Sequence, residues 1–152
     1  MIAFLAQEHV PHGTCPTQRD WKKGKFMTPL ALLMHRELEQ VAPQATLREA
    51  AEKMRDKKVG ALIVHEGGKA TAIVSEVDFV RKAVALGLNI ATTLVKEIMS
   101  APLITIDIDQ TAQEANDLMA EKKIRHLLVT DKGNVTGIIS MRDLVLCFKN
   151  RL

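Results

Sequence analysis

An internal repeat dominates the sequence: shifted by 65 residues, the chain aligns with itself without a gap. From position 34 to position 80, 16 of the 47 residues are identical to the residue 65 positions later, and Met54, Gly68 and Asp78 are among them. A repeated unit of this length has too little apolar surface to be stable alone, so neighbouring copies must share a core. The 152 residues suffice for one such paired core. The repeat therefore predicts two similar units packed on each other.

Each unit has the pattern β-α-β-β-α. The clearest signals are two helix starts, where Thr46 with Glu49 and Thr111 with Glu114 have the spacing of a capping box. Short apolar runs separated by glycine-containing turns follow each helix and predict strands. The predicted strands are 38–41, 61–64, 70–74, 103–106, 127–130 and 135–139, and a final helix is expected to begin near Val77 or Arg142.

The two units are expected to pack sheet to sheet about a pseudo-twofold axis, in an α/β (α+β) architecture. Thr28 and Pro29 predict a short leading helix that extends to Arg36, because proline is favoured at the first helical position. The predicted segments are an N-terminal extension at 1–27, the first repeat at 28–86, a linker at 87–98 and the second repeat at 99–152.

Several motifs recur in a fixed order. The segments 73–78 and 138–143 both run from an apolar strand into Ser-x-x-Asp. The segment 123–129 leads into a strand of the second unit, and 98–106 forms the start of that unit. In this order and duplication the motifs resemble the CBS-domain pair, also called a Bateman module, over about residues 30–150. The resemblance implies a small stand-alone regulatory protein that forms a homodimer.

The Ser-x-x-Asp motifs allow two interpretations. In the structural one, Ser75 and Ser140 cap a helix, while Asp78 and Asp143 are acids of its first turn. In the functional one, the helix N-terminus attracts phosphate, the serine donates a hydrogen bond, and the carboxylate accepts two from a ribose diol. The two are compatible, since a cap can exchange its partner for a ligand. The duplication within a CBS-like repeat favours a ligand role.

The resemblance also implies two clefts. Each takes its ribose-binding aspartate from one repeat and its adenine wall from the first strand of the other, an apolar slot with few polar groups. One site is expected to combine Ile73, Ser75 and Asp78 with Leu103 and Ile104, and the other to combine Ile138, Ser140 and Asp143 with Leu38 and Glu39.

Cations suited to phosphate precede a strand of the second repeat. By resemblance, Arg125 and His126 are candidate phosphate contacts. Arginine offers a forked set of donors, and a protonated histidine adds charge near neutral pH. The alternatives are a surface charge for Arg125 and a buried ring with satisfied hydrogen bonds for His126.

The repeats differ at these positions. The first repeat has Gly60 and Ala61 where the second has Arg125 and His126. The Asp78 site is expected to take its cations from Arg125 and His126 across the interface. The other site has Arg142 beside its aspartate. The sequence therefore predicts two unequal sites, with the option that only one is occupied.

Charge and aromatic content argue against a nucleic-acid function. The net charge is +3, the basic residues are dispersed, and aromatic residues make up 3%. A platform for single strands needs exposed aromatic rings, and a nucleic-acid footprint needs clustered cations. The one dense basic run, Lys22–Lys25, is interpreted as a solvated linker.

Cysteine usage and hydropathy predict a soluble, cytoplasmic protein. Cys15 and Cys147 form no CxxC pair, and no signal peptide or membrane-length apolar run is found. His9, His12 and Cys15 have the residue types of a zinc site, but no fourth ligand is apparent. We therefore predict no metal site.

No nucleophile with a base and no phosphate-binding loop is found, so we do not expect an enzyme. We expect a regulatory or sensor module that binds an adenine nucleotide as a ligand and not as a catalytic cofactor. AMP, ADP or ATP comes first, and NAD-type compounds or S-adenosylmethionine are alternatives. The other hypothesis is a ligand-free interaction protein that acts through dimerisation or a downstream partner, which the sequence does not identify.

Overall fold

The computed structural model describes residues 28–149, which form two units with the same element order. The first unit contains β1 (Gln40–Val41), α1 (Leu47–Lys57), β2 (Ala61–Glu66), β3 (Lys69–Ser75) and α2, an α-helical turn at Glu76–Asp78 continued as a π-helix at Phe79–Val84. The second contains β4 (Thr105–Asp107), α3 (Ala112–Lys122), β5 (His126–Asp131), β6 (Asn134–Ser140) and α4 (Met141–Lys149). The predicted tandem β-α-β-β-α architecture is confirmed.

Both predicted capping boxes are present. The Thr46 hydroxyl accepts from the Glu49 amide at 3.2 Å, and the Glu49 carboxylate accepts from the Thr46 amide at 2.7 Å. Thr111 and Glu114 make the same pair of bonds at 3.3 and 2.8 Å. These bonds satisfy amides that a helix start leaves without partners, so they fix where α1 and α3 begin.

Each unit has a three-stranded mixed sheet. β1 runs parallel to β2, which is antiparallel to β3, and β4, β5 and β6 repeat this order. Side chains alternate between the faces of a strand, so Leu62 faces the helices of its unit while Ile63 faces the other way. Ile63 and Leu128 are each 1% exposed although neither belongs to a helix-side core. They fill the layer between the two sheets.

The segments that precede the repeats are exchanged between the units. Leu30 and Met34 lie in the core of the second unit, and Val95 and Ile98 of the equivalent segment lie in the core of the first. The backbone of His35 pairs with Ile138 of β6, and that of Ser100 pairs with Ile73 of β3. We call the segments 28–35 and 93–100 the leading segments. The first lies beside the Ser-x-x-Asp motif of the second repeat, and the second lies beside that of the first repeat.

The predicted leading helix over 29–36 is wrong. Only a 3₁₀ turn forms, at Leu30–Leu32, with Pro29 rather than Thr28 at its N-cap. The chain leaves the helical path because the His35 amide donates to the Ile138 carbonyl at 2.8 Å, and this bond requires an extended backbone. The last helices begin one residue earlier than expected, directly after Ser75 and Ser140.

None of the helices in residues 28–149 is long and apolar enough to span a membrane. The N-terminal extension 1–27, with the basic run Lys22–Lys25 and the residues His9, His12 and Cys15, lies outside the described residues.

Candidate ligand-binding cleft

A cleft of about 1270 Å³ opens between the two units and contains the second Ser-x-x-Asp motif. Its walls come from the chain at 35–39, from the start of β2 with Val59 to Ala61, and from the β6–α4 junction with Ser140 and Asp143. We call this space the Asp143 cleft. It is large enough for a nucleotide, because small-molecule pockets typically have volumes of about 300–1,000 Å³.

Asp143 lies in the first turn of α4 and has one oxygen directed into the protein and one toward the cleft. Oδ2 accepts from the Ser140 amide at 2.8 Å and from the Ser140 hydroxyl. Oδ1 lies 3.0 Å from Nε2 of His35, whose side chain is 66% exposed, whereas that of Asp143 is 16% exposed. The inner oxygen belongs to the helix cap, and the outer one has a solvent-exposed partner that a ligand could displace.

The apolar part of the cleft is held in place by the sheet edge. Leu38 and Ile138 line it, together with Ile63 from the layer between the sheets. Glu39, next to Leu38, accepts from the Ile63 amide through its backbone carbonyl at 2.9 Å. A hydrogen bond from Lys57 is the main cause of the lowered pKa of Glu39, and Lys57 lies 3.1 Å away. These contacts fix Leu38 against the rest of the wall.

Four cations line the cleft without an ion-pair partner among residues 28–149. They are exposed, and they come from the chain just before β1, the end of α1 and the second repeat: Arg36, Lys58, Arg125 and Arg142. Other basic residues of the lining are already paired, such as Arg55, which lies 2.7 Å from Asp56. The cleft also contains the carboxylates of Glu37 and Glu76. The four cations can therefore hold an anion, and the two carboxylates can accept hydrogen bonds from a polar, uncharged group.

His126 lies half-buried at the start of β5, beside the first unit. Burial lowers its pKa, although the charges of Glu76 and Asp143 oppose this shift. A Cβ atom placed on Gly60 would lie 3.6 Å from Cε1 of His126 and 3.4 Å from the Glu76 carboxylate. The lowered pKa favours the neutral ring near neutral pH, in which one nitrogen can donate a hydrogen bond.

Asp78, the equivalent aspartate of the first repeat, is enclosed by protein groups. Its Oδ1 lies 2.8 Å from Nζ of Lys82 and accepts from the Ser100 hydroxyl at 2.8 Å. Its Oδ2 accepts from the Ser75 amide at 2.9 Å and from the Ser75 hydroxyl at 2.8 Å. Burial acts to raise the pKa of Asp78, but the hydrogen bonds from Lys82, Ser75 and Ser100 outweigh it and lower the pKa.

The predicted site residues of the second motif lie together in one cleft, whereas most of those of the first motif do not line it. Ile73 is engaged through its backbone with Ser100, Leu103 is half-buried, and Ile104 packs against the core of the second unit. Arg125 and His126, which were expected to serve Asp78, line the cleft of Asp143. The residues brought together in that cleft are Leu38, Glu39, Arg125, His126, Ile138, Ser140, Arg142 and Asp143.

Sequence reasoning missed five residues at these motifs, namely His35, Arg36, Lys58, Lys82 and Ser100. A signal was available for three of them. Position 35 aligns with position 100, and position 82 aligns with position 147, so histidine replaces serine and lysine replaces cysteine between the repeats. These differences could have been found by comparing the neighbours of the two aspartates and not only the motifs.

The fold and the cleft define a pseudo-twofold, tandem-repeat α/β module with a ligand-sized space between its halves. The family model of the CBS domain matches the chain twice, at residues 31–85 and 95–150, and the chain belongs to this family. The two matches coincide with the two units of the structure. The identification as a CBS-domain pair, made from the repeat and its motifs, is confirmed.

Similar proteins come from archaea and bacteria. An uncharacterized protein of Methanopyrus kandleri is 39% identical over 68% of this chain and 54% of its own length. The CBS domain-containing protein YhcV of Bacillus subtilis is 33% identical over 70% of this chain and 75% of its own length. The chain thus spans about half the length of the first relative and three quarters of the second.

A solved structure shows the same fold in a protein linked to signalling. It is that of a candidate signal-transduction protein with CBS domains from Burkholderia ambifaria. The match has a TM-score of 0.70 and 36% identity, and it covers 72% of this chain and 81% of the other. The chain therefore shares the fold of this CBS-domain protein.

Proposed function

We propose that this CBS-domain pair binds an adenine nucleotide, AMP, ADP or ATP, in the Asp143 cleft and acts as a sensor rather than as an enzyme. The observation that carries the proposal is the state of Asp143. Its outer oxygen faces a space bounded by both repeats, and its one partner among residues 28–149 is the exposed His35. A carboxylate in this setting can accept hydrogen bonds from the two hydroxyls of a ribose.

Other residues of the cleft suit the base and the phosphates of a nucleotide. Leu38, Ile63 and Ile138 provide an apolar wall for a base. Arg36 and Arg125 are among the cations without ion pairs, and guanidinium groups form forked, charge-assisted bonds with phosphate. These cations favour AMP, ADP, ATP or an NAD-type ligand over S-adenosylmethionine, which has no phosphate and carries a positive sulfonium.

A ligand in this position would act by bridging the repeats. It shifts the angle between them only if it binds one arrangement better than another. The walls belong to both repeats and include His35 of a leading segment, so a bound nucleotide contacts all three. We propose that a downstream protein in the cytoplasm reads this change.

Apolar residues on the last helices favour a second role. Val80, Val84, Val145 and Leu146 are large, exposed and carried by α2 and α4. Contiguous exposed apolar surface usually marks an interaction site. We propose that these residues bring two copies together as a homodimer. These exposed apolar residues also support the alternative in which the protein acts through dimerisation or partner binding with no ligand.

The proposal is tested by thermal unfolding of the full chain with AMP, ADP, ATP, NAD and S-adenosylmethionine, each in large excess. A ligand at 100 times its dissociation constant adds about 2.7 kcal/mol of stability. We expect an upward shift of the melting temperature with at least one phosphate-containing compound. Asp143→Ala should abolish that shift.

The matched control is Asp109→Ala, which removes an exposed carboxylate that does not line the cleft. It should retain the shift. No shift with any of the compounds contradicts the ligand proposal and favours the interaction role. A shift that survives Asp143→Ala shows that the ligand binds elsewhere.

A further inference from the structure

We propose that Lys82 occupies the place of a ligand at the Ser-x-x-Asp motif of Asp78, so that each chain has one nucleotide site and not two. This inference rests on the proposed nucleotide site at Asp143. Lys82 is a specificity-determining residue in this sense, because it decides which of two equivalent motifs can bind a ligand. The contacts of Lys82 and Ser100 with Asp78 involve no residue that lines the Asp143 cleft.

The lysine ammonium is held by three groups at once. Its Nζ lies 2.8 Å from Oδ1 of Asp78, donates to the Ile98 carbonyl at 2.7 Å and to the Ser100 hydroxyl at 3.1 Å. An ammonium has three donors, so all of them have partners. Lys82 is therefore engaged in a fixed position and is not a surface cation available for phosphate.

The carboxylate of Asp78 is equally occupied. Both of its oxygens have partners at 2.8–2.9 Å, supplied by Lys82, Ser100 and Ser75. Its side chain is 9% exposed, against 16% for Asp143. A ribose could reach Asp78 only by displacing both a charged partner and a hydroxyl, which leaves the ammonium without its counter-charge.

The second repeat cannot form the same clamp. The residue that corresponds to Lys82 is Cys147, whose thiol carries no positive charge and lies buried in the core of its unit. The residue that corresponds to Ser100 is His35, which contacts Asp143 from an exposed position. The difference between a closed and an open motif thus follows from two substitutions between the repeats.

Titration calorimetry of the full chain with ATP tests the inference. The wild-type protein should bind one ATP per chain. Asp78→Asn should keep that stoichiometry and change the affinity less than about twofold, a difference of about 0.4 kcal/mol. Lys82→Cys, which places the residue of the second repeat in the first, should raise the stoichiometry from one towards two, and adding Asp78→Asn should return it to one.

The outcomes separate this inference from the proposed function. Two ATP per wild-type chain, loss of binding in a folded Asp78→Asn protein, or one ATP per folded Lys82→Cys chain would each overturn it. If Lys82→Cys does not fold, the wild-type stoichiometry and Asp78→Asn decide. If ATP does not bind the wild-type chain, the titrations are repeated with AMP and ADP, and if none of the three binds, the proposed function fails instead. A double-mutant cycle of Asp78→Asn and Lys82→Met then decides whether the clamp exists, because additive losses of stability would contradict it.

Discussion

The two Ser-x-x-Asp motifs share their sequence, their place at a strand-to-helix junction and their cap bonds, yet they have different surroundings. Asp78 is bound by Lys82 and Ser100 and is nearly buried, whereas in the described part of the chain Asp143 has the exposed His35 alone beyond its own cap. The comparison shows that the motif itself fixes a helix start. What else the carboxylate can do depends on the residues that the leading segments and the helix place around it.

The common part of the two motifs can be separated from the part that differs. Each aspartate accepts from the backbone amide and the hydroxyl of its own serine, Ser75 or Ser140. These bonds satisfy amides at a helix start in both repeats. A direct comparison of variants at Asp78 and Asp143 therefore cancels the cap contribution and isolates the effect of Lys82 and Ser100.

The largest expected effect is on stability. Asp78→Ala should lower the free energy of unfolding by about 1–3 kcal/mol more than Asp143→Ala, because it removes the counter-charge of the Lys82 ammonium and the acceptor of the Ser100 hydroxyl. The measurement is urea unfolding of both variants and the wild type at neutral pH without nucleotide. Equal losses would show that Lys82 and Ser100 contribute nothing beyond the cap.

The second prediction concerns the space behind the Asp143 cleft. Position 137 is glycine where the first repeat has Ala72, and a Cβ atom there would lie 2.7 Å from Sδ of Met34 and 3.0 Å from the His35 carbonyl. Gly137→Ala should cost about 1 kcal/mol through overpacking. It should also weaken ATP binding, because His35 leads directly into the cleft wall.

Ala72→Gly is the matched control for this variant. It removes a methyl group and should lower stability by about 0.5–1 kcal/mol, but it should leave ATP binding unchanged. Loss of ATP binding in both variants would mean that the effect of Gly137→Ala on the cleft is only a loss of overall stability.

Local signals made much of the fold predictable. The capping boxes at Thr46 and Thr111, the alternation of apolar residues and the shift of 65 residues depend only on nearby residues or on the repeat. They indicated every helix and strand of the two units. The leading helix failed because His35 gives its backbone hydrogen bonds to Ile138, a partner far along the chain that no local propensity reveals.

The site was less predictable than the fold, for the same reason. The spacing of Asp78 and Lys82, four residues apart on one helix, is visible in the sequence, but the third member, Ser100, comes from a leading segment. Which cleft Arg125 and His126 line also depends on how the two sheets face each other. Sequence could indicate the residue types of a nucleotide site and could not decide which aspartate was already occupied.

The third prediction concerns the loss of stability in acid that the Asp78 carboxylate causes. The pKa of Asp78 is lowered in the folded protein, so the unfolded chain binds its proton more readily. The resulting stability is fully present above the unfolded pKa and is lost as the pH falls through the folded pKa. Below pH about 5, the wild type should lose stability more steeply than Asp78→Asn. Parallel curves of unfolding free energy from pH 7 to pH 3 would contradict this.

The smallest effect on stability is expected at His35. The pair with Asp143 is solvent-exposed, so His35→Ala should change the free energy of unfolding by less than about 1 kcal/mol. Because His35 and a ribose would use the same carboxylate oxygen, its removal should tighten ATP binding by about two- to fivefold, which corresponds to about 0.4–1 kcal/mol. Ser100→Ala, at the equivalent position beside Asp78, should do the opposite and lower stability without changing ATP affinity. Weaker ATP binding by His35→Ala would mean that the histidine contacts the nucleotide rather than competing with it. The Asp143 motif would then differ from the Asp78 motif in the kind of partner that its aspartate has, and not in lacking a partner that must stay in place.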